Sequence, residues 1–149
     1  MTRRELREHC FKMLFCIDFY PAEELEKQLE QYFEAPQEEE TTPEGESEIL
    51  HCVDMEDGDK GYLLGKAGAA LERVTRLDDR INEVAQGWKT RRMGKVELTI
   101  LRLALYEILY DDEIPEKVAI NEAVELAKKF GGDDAPSFIN GVLAKLVQK

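Results

Sequence analysis

From Lys95 to Tyr110 the chain leaves almost no polar face at helical spacing. Val96, Ile100, Leu103, Ala104, Glu107 and Ile108 fall along one band, and Leu98, Leu101 and Leu105 widen it. A helix apolar over so much of its circumference is stable only when other helices surround it. That requirement sets the fold class. No stretch alternates polar and apolar residues over a strand's length, so the expected architecture is all-α, a compact single-domain bundle of about seven helices spanning residues 1–149. A chain of this length buries an adequate core without disulfide or metal staples.

The segments on either side supply the surrounding helices. Thr2 and Glu5 form a capping box, and the helix they open is expected to run to about Phe19, where Pro21 ends it. Leu6, Cys10, Met13, Leu14 and Ile17 make its inward stripe; Arg4, Arg7, Phe11 and Phe15 make a neighbouring one. A second helix is expected over 22–34. Leu64, Ala67, Leu71 and Val74 give a third its spacing, with Gly65 and Gly68 letting a neighbour approach closely, and Asp78 and Asp79 open a fourth that Gly87 ends. Trp88 is placed in the core at the corner that follows. Beyond the central helix, Pro115 suits a first helical turn, and Val118, Ile120, Ala123, Val124, Ala127 and Phe130 share a face. Gly131 and Gly132 are read as a stop at positive φ. Asp134 then caps a last helix, with Pro136 in its first turn and Phe138, Ile139, Val142, Leu143 and Leu146 on its core side.

Residues 36–47, PQEEETTPEGES, contain no apolar side chain larger than proline and are expected to form a disordered acidic loop, with one helical turn possible over 49–55. This region dominates the charge. The formal net charge is −12, but residues 21–59 carry fifteen carboxylates against Lys27 alone, whereas 1–20 and 60–149 each carry one more basic group than acidic. Charges beyond a Debye length of about 8 Å are largely screened at physiological salt, so a local basic edge can still take a phosphate. Such edges lie at Arg3, Arg4 and Arg7 and at Lys89, Arg91, Arg92 and Lys95. Arginines in a first helical turn oppose the helix dipole, which asks for an anion nearby or a well-solvated end.

No catalytic constellation emerges. GDKGYLLGKAG lacks the spacing and the Ser or Thr of a phosphate loop, and neither His9 with Cys10 nor His51 with Cys52 has companions at metal-ligand spacing. A non-enzyme with no cofactor and no metal is expected. Three cysteines without a framework, a charged N-terminus and the lack of any long apolar run point to the cytoplasm and away from a membrane. Asn121 and Glu122 are read as helix-surface or helix–helix hydrogen-bonding residues.

The strings KVAINEAVELAKKFGGDDAPSFINGVL, ILRLALYEIL and TRRELRE resemble the C-terminal signature, central helix and Arg-rich opening of the NusB family of transcription antitermination factors. Residues 36–60 carry no part of that resemblance. It implies RNA binding to the boxA element of nascent transcripts, ribosomal RNA leaders above all, together with NusE, a small-subunit ribosomal protein, within the RNA polymerase antitermination complex. It places Arg3, Arg4 and Arg7 on RNA phosphates, and Asp134 with Phe138 at the bases. Ser137 stands where the family pattern has lysine, Ala135 where it has a polar residue, and Lys12 where it has glutamine. Two other readings fit the same helices: a protein-binding helical adaptor, and the RNA-guiding module of an RNA methyltransferase acting with a separate subunit. The sequence leaves a homodimer open.

Overall fold

The computed structural model describes residues 1–34, 36–41, 47–52, 55–85, 90 and 93–147. Seven α-helices lie among them: α1 (Arg3–Leu14), α2 (Leu25–Gln31), α3 (Asp57–Glu72), α4 (Val74–Val84), α5 (Lys95–Tyr110), α6 (Glu116–Phe130) and α7 (Ala135–Val147). Helix α5 packs against α1, α3, α4, α6 and α7. Its run from Leu98 to Leu105 is buried throughout, which is the environment its apolar circumference demands.

Three polar residues share that buried helix, and each is matched. Thr99 Oγ1 donates to the Lys95 carbonyl at 2.7 Å. Arg102 reaches Asp78 on α4 at 2.7 Å and Asp18 at 2.9 Å. Glu107 accepts from Arg7 and Lys66. A buried polar atom without a partner costs about 1–3 kcal/mol, and no buried side-chain nitrogen or oxygen among the described residues lacks one.

Several local expectations shift. Helix α1 tightens into a 3₁₀ turn over Phe15–Asp18, and α2 is a short α-helix between two such turns. On α3 the buried face is Leu63, Lys66, Ala67 and Ala70, because Lys66 turns inward to Glu107. A Cβ at Gly65 or Gly68 would meet nothing within 4 Å, so these glycines do not serve close helix approach. Helix α4 begins at Val74, which leaves Asp78 mid-helix and facing Arg102. On α6 the buried face is Ala119, Ala123, Leu126 and Ala127, whose three alanines let α5 and α7 close in, while Val118 stays exposed.

Gly131 ends α6 with φ −97° and ψ 177°, extended backbone and not the left-handed conformation. Space is what requires glycine there. A Cβ at Gly131 would lie 2.5 Å from the Ala135 Cβ and 2.9 Å from the Ala127 carbonyl oxygen. Ala135, itself buried, is held small by the same approach.

Part of the acidic stretch read as disordered, and residues 49–52 of the turn expected over 49–55, instead form two antiparallel strands, β1 (Pro36–Thr41) and β2 (Ser47–Cys52). Thr41 faces Ser47, Glu39 faces Ile49 and Pro36 faces Cys52, with register shifts on either side of Glu38. Backbone pairing between neighbouring segments needs no apolar face, which is why side-chain patterning alone missed it. Trp88, Lys89, Arg91 and Arg92 lie outside the described residues, as do 42–46 within the acidic stretch.

Candidate nucleic-acid interface

The first turn of α1 is set by its capping box. Thr2 Oγ1 accepts from the Glu5 backbone N–H at 3.1 Å, and the Glu5 side chain accepts from the Thr2 N–H at 3.3 Å. With that start fixed, the three arginines take different environments. Arg3 is exposed and makes no ion pair among the described residues. Arg4 has 63% of its side chain exposed, and its Nε and Nη2 lie 3.2 Å from the Glu122 carboxylate on α6. Arg7 turns inward to 7% exposure; its Nε donates to both oxygens of Glu107 at 3.0 and 3.1 Å, and its Nη1 lies 3.7 Å from Glu122.

Sequence reasoning treated Arg4 and Arg7 as one stripe, but only Arg4 presents its guanidinium to solvent. The missed signal was Glu107, a carboxylate on a helix that other helices surround, which demands a cation inside the bundle. It has two. Lys66 Nζ lies 2.6 Å from Glu107 Oε2. Burial works against the Lys66 ammonium, but the adjacent carboxylate outweighs it and holds its pKa above the ordinary lysine value.

Between α1 and α6 lies a groove of about 370 Å³ with Arg4, Arg7, Lys128 and Lys129 on its walls together with Glu8, Glu122 and Glu125. Lys129 holds both oxygens of Glu8 at 2.8 and 2.9 Å, so α1 and α6 are joined by ion pairs at two levels. Glu122 thus makes helix–helix contacts, as its position suggested. Farther along α1, exposed Lys12 stands 5.9 Å from the centre of the Phe130 ring, which stacks on Phe11 at 5.0 Å.

Asp134 and Phe138 line a separate depression of about 330 Å³ with Met93, Gly94 and Glu97. None of these residues lines the arginine groove. Asp134 is exposed, and its carbonyl accepts from the Phe138 N–H at 3.1 Å in the first turn of α7. Phe138 is half-buried and packed against the core, whereas Ile139 next to it is fully buried. Lys95, the described end of the second basic stretch, lies 3.9 Å from Asp18.

Cys10 and His9 are both held in the packing of α1. Burial pushes the Cys10 thiol up to about 12, which leaves it protonated and unreactive at neutral pH. His9 Nδ1 lies 2.7 Å from the Tyr32 hydroxyl. Among the described residues no group of three or more His, Cys, Asp or Glu side chains could hold a metal ion, and no helix is long and apolar enough to cross a membrane.

Fold and surface together define a seven-helix bundle, among the described residues, with a basic edge at one helix start and an aromatic depression at another. The model of the NusB family matches residues 4–148. Transcription antitermination protein NusB of Lachnoclostridium phytofermentans is 46% identical over 147 residues, covering 99% of this chain and 99% of the relative. The protein of the same name from Agathobacter rectalis is 46% identical over 145 residues, covering 97% and 98%. Among solved structures, T. maritima NusB superposes with a TM-score of 0.77 at 30% identity, covering 98% of this chain and 90% of that one. The chain belongs to the NusB family.

Proposed function

We propose that this protein is a transcription antitermination factor that binds boxA-type single-stranded RNA together with NusE, within the RNA polymerase antitermination complex, and so supports ribosomal RNA transcription in the cytoplasm. The observation that carries the reading is the exposed guanidinium edge of Arg3 and Arg4 at a helix start whose dipole does not favour cations, in a chain with full-length relatives named for antitermination. Arg3 and Arg4 meet backbone phosphates, and Arg7 positions that edge from beneath through Glu122 and Glu107. Phe138, which lines the depression, is the aromatic group for a base to meet, with Asp134 beside it to accept from base or ribose donors.

The division of labour follows from the chemistry of single strands. Phosphate contacts supply salt-dependent affinity, while a stacked base adds about 1–3 kcal/mol that salt does not screen. Binding and adaptor work, not covalent chemistry, is the function these residues support. The test is fluorescence anisotropy with a labelled boxA oligonucleotide and a scrambled one, each with and without NusE. Preference for boxA that strengthens with NusE is the expected result; equal binding to both RNAs in the presence of NusE would overturn the reading.

A further inference from the structure

We infer that Glu122 is a specificity-determining residue of the RNA site: its carboxylate occupies Arg4 in the free protein, so an RNA phosphate must displace it to bind. The inference rests on the RNA reading above and deepens it. The Arg4 Nε lies 3.2 Å from both Glu122 oxygens, and its Nη2 lies 3.2 Å from one of them. This is the fork with which a guanidinium would grip a phosphate. Glu122 is also held at 3.7 Å by buried Arg7, so the carboxylate is anchored from below while Arg4 is the more exposed partner. Arg4 therefore moves and Glu122 stays.

The arrangement turns phosphate binding into an exchange. An exposed ion pair is weak, so a phosphate can take Arg4 from Glu122, but the net gain is small because one charge-assisted contact is given up for another. A non-cognate strand, offering phosphates alone, gains little from this position. A cognate strand adds base contacts elsewhere and completes the exchange. Glu8 on Lys129 repeats the device one level along the same groove, with both carboxylate oxygens engaged. Glu122 thus lowers affinity for any polyanion and leaves discrimination to the bases.

Glu122→Gln tests this, since it keeps the shape and a hydrogen-bonding oxygen but removes the charge. Glu116→Gln is the control. It removes the same charge from the exposed start of the same helix, where no ion pair is made among the described residues. Anisotropy titrations of full-length protein with boxA RNA and a scrambled RNA of equal length, at stepped KCl, give affinity and salt slope. Glu122→Gln is expected to bind scrambled RNA about two- to fivefold more tightly than Glu116→Gln does. It should also steepen the slope for scrambled RNA by about 0.7, one fuller phosphate contact, and narrow the ratio between the two RNAs. Affinities equal to those of Glu116→Gln, at an unchanged melting temperature, would overturn the inference. So would a Glu122→Gln protein that unfolds or binds both RNAs more weakly, which would make Glu122 a structural tether. If the wild-type protein shows no preference for boxA with NusE, the RNA reading itself falls, an outcome separable from a wild type that discriminates and a Glu122→Gln that changes nothing.

Discussion

Lys66 approaches Glu107 to 2.6 Å inside the bundle, on a carboxylate whose two oxygens Arg7 already holds. Glu107 is 1% exposed, and the two cations come from different helices, so this cluster ties α1 and α3 to the central α5. The two cations are unequal in consequence. Glu107→Ala strands Lys66 without a counter-ion and leaves Arg7 only the 3.7 Å contact to Glu122, and is expected to cost about 3–5 kcal/mol in urea unfolding. Lys66→Met removes only the surplus charge, fills similar volume and leaves the Arg7 pair intact, so it should be near neutral. Equal losses in the two variants would show that Lys66, not Arg7, is the principal partner of Glu107.

Phe138 and Ile139 are adjacent on α7 but differ in burial, and the contrast separates a binding role from a packing one. Ile139 is fully buried, so Ile139→Ala should lose about 2–5 kcal/mol of stability. Phe138→Ala should lose less stability than Ile139→Ala, weaken RNA binding by about 1–3 kcal/mol and leave the salt slope unchanged, because a ring carries no charge. Normal RNA binding by folded Phe138→Ala protein would assign the ring to the core alone.

What was legible in the chain follows the range of the interactions involved. The Thr2–Glu5 capping box is local, and it stands in the structure as read. The Lys95–Tyr110 helix was legible because burial on every side leaves a pattern that no other environment permits. The arginine edge was legible only in part, since a stripe at three-residue spacing does not say that Arg7 turns to a carboxylate one hundred residues away. Lys66 was hidden for the same reason: inward lysines look like surface lysines until the partner is located. Gly131 is legible as a stop, but its cause is the close approach of Ala135 and the Ala127 carbonyl, four residues away on either side, which depends on how the chain turns between α6 and α7 and not on a positive φ. The pairing of 36–41 with 47–52 leaves no trace in side-chain periodicity, because backbone hydrogen bonding defines it.

His9 makes stability sensitive to pH. Burial, with help from the nearby Lys12 charge, lowers its pKa below the ordinary 6.5, so the folded state binds the proton less readily than the unfolded chain. Stability from this group is therefore fully present above 6.5 and declines as the pH falls through that value toward the lower folded pKa. Urea midpoints measured from pH 7.5 to 5.5 should fall with pH, and His9→Asn should flatten that part of the profile. An unchanged slope in the variant would assign the pH dependence to other groups.

Among the described residues, β1 and β2 chiefly contact each other and not the helices. Replacing residues 36–52 by a short Gly-Ser linker, with buried Met55 retained, should therefore preserve cooperative thermal unfolding. The deletion also removes Glu38, Glu39, Glu40, Glu44, Glu46 and Glu48, so RNA affinity at low salt should rise modestly and converge with that of the full chain as salt is added. Loss of a cooperative transition would show that the hairpin contributes to the core.

Arg4 and Arg7 should fail in different ways when each is replaced by alanine. Arg4 is exposed and paired only at the surface, so Arg4→Ala should keep its melting temperature. It should weaken RNA binding and reduce the magnitude of the salt slope by about 0.7, the contribution of one phosphate contact on a single strand. Arg7→Ala leaves Glu107 with Lys66 alone and opens space in the interior, so its first effect is a lower melting temperature. Measured on folded protein well below that transition, its salt slope should match the wild type's, because the Arg7 guanidinium faces Glu107 and not solvent. The reverse pattern, with Arg7→Ala flattening the slope at full stability and Arg4→Ala silent, would mean that RNA binding draws Arg7 out of the interior and that the buried cluster is rebuilt in the complex.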